Sequence, residues 1–304
     1  MSTERTESGK KKAGAISPLR NFWDRFREDK IALAALVVVA IMLVLALFAP
    51  LIAPQDPYDL SGLSLRDARR QPGFIGSGGY VHWLGTDAQG RDLWSAILYG
   101  LRVSIQIGLS AGGLALVIGT TIGIVAAYAR GYLETFLMRV IDLQLSFPPI
   151  LLALVLVAVL GQGVGPLVTA LVAAQYAYFA RTAYGAASAE RSKDYIEAAM
   201  ATPLSDARIV FRHLLPNAMP ALIVVATVQI AYAIALEATL SFLGLGLLVT
   251  EPSLGMLIAN GVKYMMSGRY WISVYPGIAL IILIVSINLV GDHVRDILNP
   301  RLNR

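Results

Sequence analysis

Six long apolar segments, separated by polar stretches, make up most of the 304-residue chain. The first, residues 31–53, contains no charged residue. At about 1.5 Å per residue it is long enough to cross a hydrocarbon core of about 30 Å. The same pattern predicts spans at about 103–128, 138–160, 166–186, 217–248 and 271–289. The sequence therefore predicts an all-α polytopic membrane protein with six transmembrane helices.

Composition agrees with this class. Hydrophobic residues make up 56% of the chain, charged residues 15%, and the mean hydropathy is +0.64, which is too apolar for an ordinary soluble domain. The net charge of +5 does not indicate nucleic-acid binding, because the Lys and Arg residues flank the apolar segments. There is no cysteine, and His82, His213 and His293 lack metal-ligand spacing. We expect no catalytic residue, cofactor or metal in this chain.

The polar segments predict the orientation. Residues 1–30, with eight Lys or Arg, are predicted to be a cytoplasmic basic tail, 54–100 an extracytoplasmic loop, and 292–304 a cytoplasmic C-terminal tail. This places eighteen Lys and Arg inside and seven outside, in accord with the positive-inside rule. Between them, residues 101–291 are predicted to form the core domain. Its last extracytoplasmic loop should contain a short helix that begins after Ser253.

Four glycines in the second apolar segment form two pairs at four-residue spacing, Gly108 with Gly112 and Gly119 with Gly123. Small residues at this spacing lie on one helix face and allow another helix to approach closely. This segment is therefore predicted to pack against other helices rather than lipid.

The third apolar segment carries two charges near its start and two prolines near its middle. Arg139 and Asp142 are three residues apart, so they share a helix face and are predicted to neutralise each other. Pro148 and Pro149 are predicted to kink the helix.

Between the fourth and fifth apolar segments lies a polar, helix-prone stretch, DYIEAAMATPLSDARIVFRHLLPNAMP, which begins at Asp194. Asp194 and Glu197 have the spacing of a capping box and predict the start of a short helix. Pro203, at a first helical position after Thr202, predicts a second one. Pro216 is predicted to end the pair before the next span, which would start at Asn217.

The first short helix is predicted to have two different sides. Tyr195, Ile196, Ala199 and Met200 fall on one side at helical spacing. The other side is small, acidic and easily approached, and it consists of Asp194, Glu197 and Ala198. An amphipathic helix lying on the membrane surface would also show two such sides.

The sequence Glu197-Ala198-Ala199, with a turn residue at 203 and then Leu215-Pro216, resembles the EAA loop of bacterial ABC-importer permeases. In that family the loop is a coupling helix seated in a groove of the cytoplasmic ATPase. The usual glycine is replaced by Pro203, which keeps the turn, and a later isoleucine by His213. The resemblance implies a coupling loop at 187–217, with ATPase-coupling residues Asp194, Tyr195, Glu197, Ala198, Ala199, Pro203, Leu215 and Pro216.

Other segments resemble the dipeptide and oligopeptide branch of this family, which also includes nickel carriers. They are FWDRFREDK before the first span, HWLGTDAQGRD before the second, LSFLGLG, and GDHVRDILNPRL near the C-terminus. In the second of these, Thr86, Asp87, Gly90, Arg91 and Asp92 are predicted to supply a turn and a local ion pair. A structural elbow at the membrane surface is favoured there over substrate contact.

The resemblance implies a type I ABC importer permease fold, with both termini cytoplasmic, in the bacterial plasma membrane. It also implies four partner subunits besides the lipid bilayer: a homologous second permease, two ATP-binding subunits, and an extracytoplasmic solute-binding protein. The chain lacks a G-x-x-x-x-G-K-[ST] sequence, so ATP and Mg would be bound by the partner subunits. The expected cargo is a di- or oligopeptide, with nickel or another small solute as the alternative.

Glu237 lies roughly two-thirds of the way along the fifth apolar segment, where an ionised carboxylate facing lipid would be costly. With Ser241 it could line the pathway and meet a charged end of the substrate. Alternatively, it forms an interhelical hydrogen bond that fixes the packing of Ser241 and Gly244. We favour packing, because a peptide permease should pass varied substrates without a tight site.

Two other classes fit less well. An intramembrane hydrolase needs a nucleophile and a base buried together, and no predicted span contains a histidine. An ion-coupled secondary transporter would use several buried acids and broken helices. The chain has one such acid and no evident internal repeat. We therefore expect a transporter subunit that is not itself an enzyme.

Overall fold

The computed structural model describes residues 18–59, 63–248, 251 and 253–298. Within these ranges the chain forms twelve α-helices and one antiparallel hairpin, β1 (Phe74–Ile75) and β2 (Val81–His82). The helices are α1 Pro18–Phe26, α2 Lys30–Leu47, α3 Ala49–Ile52, α4 Leu93–Ala129, α5 Gly131–Leu145, α6 Pro149–Leu160, α7 Val164–Arg191, α8 Asp194–Met200, α9 Asp206–Ile209, α10 Leu215–Phe242, α11 Leu254–Met265 and α12 Trp271–Leu298.

Four helical stretches in the described ranges are long and apolar enough to cross a membrane: α2, α4, Asp206–Phe242 and α12. A fifth is counted if α5 and α6 form one bent span. Helix α7 has 28 residues, but it is rich in alanine and carries Gln175 and Arg181. The predicted class of mostly helical multi-pass membrane protein is confirmed, whereas six spans are not, since the described residues show four or five.

Helix α4 is the centre of the fold and packs against α7, α10 and α2. A methyl carbon at Gly119 or Gly123 would lie 2.3 Å from a backbone oxygen of α7. At Gly108 and Gly112 it would lie 2.5 and 2.8 Å from side-chain carbons of α10. Both glycine pairs are therefore contact points between helices, as their spacing predicts.

The third apolar segment is two helices rather than one. Helices α5 and α6 meet at 90° across a short break that ends at Pro148, and Pro149 is an early residue of α6. The predicted disruption at Pro148 and Pro149 is confirmed, but the single kinked helix at 138–160 is wrong. Proline starts a helix without losing a bond, since the first N–H groups have no partner inside the helix.

The predicted pairing of Arg139 with Asp142 is also wrong. The Asp142 carboxylate accepts a hydrogen bond of 2.8 Å from Arg181 of α7. Helix α5 packs on α7, which brings Arg181 opposite Asp142. Both side chains are about half exposed, so the pair adds little stability.

Helices α1 and α12, the first and last helices of the described residues, pack together. Phe26 of α1 is buried and lies edge-on to His293 at 4.9 Å. Asp29 caps α2 by accepting bonds from the Ala32 N–H at 3.2 Å and the Ile31 N–H at 2.7 Å, and both bonds lower the Asp29 pKa. Helix α12 continues to Leu298, so the predicted C-terminal tail is partly helical. Most of the predicted basic tail lies outside the described residues.

Helix α10 begins at Leu215 and ends at Phe242, so the predicted span at 217–248 is shifted. The chain turns at Gly244, which has a φ of +78°. Beyond it, the Leu245 N–H donates to the Leu240 carbonyl at 3.0 Å. Helix α11 begins after Ser253, whose hydroxyl accepts a bond from the Met256 N–H, and this predicted helix is confirmed.

Candidate functional site

The loop between α7 and α10 contains two short helices, but the first does not begin as predicted. Helix α8 starts at Asp194, with Lys193 in the capping position and no capping bond from a side chain. The predicted capping box of Asp194 and Glu197 is therefore wrong. Backbone bonds start the helix instead, since the Lys193 carbonyl accepts from the Ile196 N–H at 2.9 Å. Two acidic residues in the first turn still favour α8 through the helix dipole.

Pro203 lies in the turn after α8 rather than at the first position of the second helix, so that prediction is wrong. Helix α9 begins at Asp206, and the Ser205 carbonyl accepts from the Arg208 N–H at 2.9 Å. Ser205 followed by Asp206 is a helix-start signal in its own right. The turn uses Thr202 as well, whose hydroxyl donates to the Ala199 carbonyl at 2.7 Å.

Pro216 does not end the second helix, contrary to the prediction. From α9 the chain continues through one wide turn, Val210–Leu214, directly into α10, where Pro216 lies in the first turn. In a regular α-helix the ring of Pro216 would clash with the Arg212 carbonyl. A wide turn of this kind relieves that clash and keeps the helix continuous.

The two sides of α8 differ in exposure, as helical spacing requires. Ile196 is fully buried, whereas Asp194, Glu197 and Ala198 are exposed. Tyr195, predicted on the same side as Ile196, is nevertheless 45% exposed. Ile196 forms a small core under both short helices together with Ile209 and Leu214.

The Tyr195 hydroxyl connects α8 to the two long helices that flank it. It donates a short hydrogen bond to the Glu190 carboxylate of α7, which also accepts from Lys193 at 2.7 Å. The Asn217 side chain of α10 donates to the same hydroxyl at 3.4 Å. The bond to Glu190 raises the pKa of Tyr195 to about 12. Burial opposes ionisation of Glu190, but the bonds from Lys193 and Tyr195 outweigh it and lower the Glu190 pKa.

A second set of contacts ties the loop to the end of α4. Arg191 donates to the backbone carbonyls of Ala127, at 2.7 Å, and Tyr128. Its guanidinium also lies 5.3 Å from the centre of the Tyr128 ring. The Tyr128 hydroxyl in turn donates to Asp206 of α9 at 2.6 Å. The loop is therefore held by α4, α7 and α10 together.

These anchors leave a set of exposed residues on the loop, here called the coupling surface after the role that the resemblance implies. It includes Phe211, a residue not predicted from the sequence, which is 68% exposed. In the sequence, the pattern that could have indicated Phe211 is an aromatic residue between two arginines, Arg208 and Arg212. The coupling surface consists of Asp194, Glu197, Ala198, Ala201, Thr202, Pro203, Arg208, Phe211 and Arg212.

Glu237 is completely buried and its carboxyl oxygens have hydrogen-bond partners. Ser104 of α4 and Ser241 of α10 each donate to it at 2.8 Å, and the side chain of Ser253 at the start of α11 lies against it. Glu237 thus joins three helices, which is the geometry expected of the packing role. Gly244 contributes the turn after α10 but no contact that ties it to Glu237.

A buried polar cluster precedes α4, in the segment predicted to be an elbow. His82 is 2% exposed, and its Nδ1 lies 2.9 Å from the Asp92 carboxylate. Asp92 also caps α4 by accepting from the Ser95 N–H at 2.8 Å. Asp87 is buried too, and burial raises its pKa despite the bonds it accepts from the Arg91 and Gln89 N–H groups. The predicted turn is present, with His82 as the partner of Asp92.

A groove of about 890 Å³ runs along one face of α10, between α7, the start of α6 and the end of α12. Valine and alanine side chains of α10 form much of its floor. Its polar groups are mostly uncharged: the hydroxyls of Tyr178 and Tyr232, the amides of Gln229 and Asn217, and Thr182. Arg295 lies at the α12 end. The groove therefore offers a ligand hydrogen-bonding groups and apolar surface, and one of its lining side chains is charged.

Residues 119–304 match the family described as binding-protein-dependent transport system inner membrane component. The chain belongs to this family. Residues 17–72 also match the N-terminal TM domain of oligopeptide transport permease C. The chain is thus a permease subunit and a multi-pass component of the inner membrane. The resemblance to peptide permeases that the sequence motifs showed is confirmed.

Several relatives match the chain over almost its whole length. A peptide transport system permease protein of Brucella abortus is 41% identical over 91% of this chain and 89% of its own. A di/tripeptide transport system permease protein of Pseudomonas aeruginosa is 36% identical over 94% and 93%. A glutathione transport system permease protein of Escherichia coli is 33% identical over 94% and 91%.

The fold is similar to that of a solved transporter. A chain of the MetNI methionine ABC transporter, in an inward-facing conformation, superposes with a TM-score of 0.55 at 22% identity. The match covers 66% of this chain and 96% of the other. This likeness supports the ABC-importer permease fold.

Proposed function

We propose that this chain is one transmembrane subunit of an ATP-driven importer of di- or oligopeptides. The observation that carries the proposal is an exposed coupling surface on a loop anchored to three long helices, in a chain whose relatives are named as peptide permeases. An extracytoplasmic binding protein would deliver the peptide. Two partner subunits would bind ATP and Mg and carry out hydrolysis, and this chain would have no catalytic role.

The coupling surface is the proposed docking site for one ATP-binding subunit. Ala198 is exposed and small, so it lets a partner surface approach the α8 backbone closely, and the exposed Phe211 offers an apolar side chain. Burying one aromatic side chain of this kind stabilises an interface by about 2 kcal/mol. The anchors through Tyr195 and Tyr128 would pass the motion of the docked subunit to α7, α10 and α4.

The groove along α10 is the proposed half of the peptide pathway, closed by a homologous second permease. Tyr178, Gln229 and Tyr232 can hydrogen-bond to a peptide backbone whatever its side chains. The one charged side chain in the lining, Arg295, lies at the α12 end. The rest of the lining suits varied peptides, because it holds no fixed charge that would reject a like-charged side chain. Asn217 belongs both to this groove and to the Tyr195 contact, so the groove and the anchor of α8 share a residue.

In this arrangement six segments cross the bacterial plasma membrane and both chain ends are cytoplasmic. The crossing segments are α2, α4, the bent pair α5 and α6, α7, α10 and α12. Helix α7 crosses as well although it is less apolar, because α4, α10 and α6 enclose it and it meets little lipid. The coupling surface then lies in the cytoplasm and the hairpin outside.

The test is peptide-stimulated ATP hydrolysis and peptide uptake by the complete transporter in proteoliposomes. Ala198→Asp adds charge and bulk to the coupling surface, and Ala201→Pro removes a backbone donor at the end of α8, where the Ala201 N–H bonds to the Glu197 carbonyl at 3.1 Å. Both variants should lower both activities at least about tenfold, which corresponds to a loss of about 1.4 kcal/mol or more of docking free energy. Each variant should still assemble with the second permease.

Pro203→Gly is a milder change on the same surface, because it removes a ring from an exposed turn outside both helices and adds neither charge nor bulk. It should change either activity less than about twofold, since it affects mainly the flexibility of the turn. Wild-type activity in Ala198→Asp and Ala201→Pro would show that this loop does not couple to the ATPase.

A further inference from the structure

A second pocket lies at the opposite end of the molecule from the coupling surface. It has a volume of about 420 Å³ and is lined by residues of the loop before α4, of α4 itself, of the start of α7 and by Glu251 before α11. We call it the outer pocket and define it by its polar members, Tyr58, Gln106, Ser110 and Glu251. Pockets of this size hold small ligands.

Glu251 gives the outer pocket its chemical character. Its Oε2 atom is buried and has no hydrogen-bond partner among the described residues. A buried carboxylate oxygen without a partner is costly, and such atoms in native structures call for an explanation. A cationic ligand with N–H donors would satisfy this oxygen.

The pKa of the neighbouring Tyr58 also reflects the negative charge of Glu251. Burial raises the pKa of Tyr58, and the negative charge of Glu251 raises it further, while Arg102 acts in the opposite direction. The Glu251 carboxylate and the Arg102 guanidinium are therefore both close enough to the Tyr58 hydroxyl to shift its pKa. The described residues show no ion pair between Arg102 and Glu251, so the carboxylate is not neutralised by that arginine.

Polar side chains form a stripe along the part of α4 that lines the pocket. Arg102, Gln106 and Ser110 follow one another at four-residue spacing, and Gln106 and Ser110 are exposed. Polar side chains on a membrane-spanning helix are costly against lipid and generally face a water-filled cavity or a partner. This stripe therefore indicates that the outer pocket opens to water, where Gln106 and Ser110 add neutral donors and acceptors.

We propose that the outer pocket binds the ammonium group of a short peptide as it enters the pathway, with Glu251 as its ion-pair partner. The inference rests on the proposed function, from which the peptide substrate is taken. An ammonium group is a compact cation with three donors. One donor can reach the unpartnered Glu251 oxygen, and the Tyr58 hydroxyl and the Gln106 side chain can accept the others. Val103, Ile107 and Val164 supply apolar walls for the adjoining side chain.

The test uses the complete transporter in proteoliposomes, with radiolabelled dialanine as the probe and saturating binding protein. Glu251→Gln keeps the shape but removes the charge. We expect dialanine uptake to fall about tenfold, as for loss of a hydrogen bond to a charged group. ATP hydrolysis stimulated by the loaded binding protein should stay within about twofold of wild type. Glu251→Asp, which keeps the charge, should retain clearly more uptake than Glu251→Gln.

Asp56→Asn is the matched control, because Asp56 is an exposed carboxylate beside Tyr58 that does not line the pocket. It removes the same charge from the same region and should leave uptake unchanged. Wild-type uptake in Glu251→Gln, or equal losses in the Gln and Asp variants, would overturn the ammonium site. A parallel loss of uptake and stimulated hydrolysis would overturn it too, because Glu251 would then contact the binding protein. Absence of dialanine uptake by the wild-type complex would instead refute the proposed function and this site with it.

Discussion

At the scale of single residues, Glu237 shows how a membrane protein can hold a carboxylate in its interior. Two serines, Ser104 and Ser241, donate to it from different helices, and no lysine or arginine is needed. The sequence predicted that Glu237 avoids lipid, but not Ser104, which is 133 residues away in the chain. A contact between distant segments leaves no local pattern, so it could not be predicted from one sequence.

Glu237→Gln should preserve the structure, because an amide oxygen still accepts from one serine and the volume is unchanged. We expect wild-type assembly and at least about half the peptide uptake, since one neutral hydrogen bond contributes about 1 kcal/mol. Glu237→Ala leaves both serines without their acceptor and opens a cavity, so assembly should fall. The measurements are complex yield from membranes and uptake in proteoliposomes. Normal assembly of Glu237→Gln with abolished uptake would favour a role in the pathway instead.

Tyr195→Phe removes one hydroxyl that contacts both Glu190 and Asn217. The ring and the buried Ile196 remain, so α8 should still form and the ATP-binding subunits should still dock. We expect the ATP consumed per peptide to rise about threefold or more, because α8 is then less firmly tied to α7 and α10. Tyr184→Phe is the control, since Tyr184 makes the same kind of bond to Glu134 away from α8. An unchanged ratio in Tyr195→Phe would contradict the anchoring role.

At the scale of elements, the sequence predicted helices well and their ends poorly. The glycine pairs and the disruption at Pro148 were readable because they act through local geometry. Pro203 and Pro216 were misread because a proline is compatible with a turn, a helix start or a continuous helix, and the neighbouring structure decides among them. The partners of Asp142 and His82 were missed for another reason. Arg181 lies on a different helix from Asp142, and Asp92 comes close to His82 only when the segment before α4 folds.

The contact between α4 and α7 gives a prediction at this scale. Gly119→Ala places a carbon 2.3 Å from the Tyr176 carbonyl oxygen, so the helices must separate and stability should fall by about 1–3 kcal/mol. Gly113→Ala, on the same helix with no atom within 4 Å of the added carbon, should be neutral or slightly stabilising. The midpoint of thermal unfolding of the purified complex measures both. Equal midpoints for the two variants would show that the close contact does not limit packing.

At the scale of the whole molecule, the proposed orientation is testable because the chain has no cysteine of its own. Ser267 and Ser192 are both exposed, and the proposed topology puts them on opposite sides of the membrane. Ser267→Cys in intact cells should react with an impermeant maleimide, whereas Ser192→Cys should react only after the membrane is opened. The reverse pattern would place the coupling surface outside the cytoplasm.

Helix α4 has a mechanical consequence for the transporter. Its 37 residues form one uninterrupted rod of about 55 Å. One end is fixed by Asp92 and His82, and the other by the contacts of Tyr128 and Arg191. Because the rod is one unbroken helix without proline, a tilt imposed at one end can be passed along its length to the other. A signal that the binding protein has docked could then reach the cytoplasm as a rigid rotation, with no helix unwinding along the way.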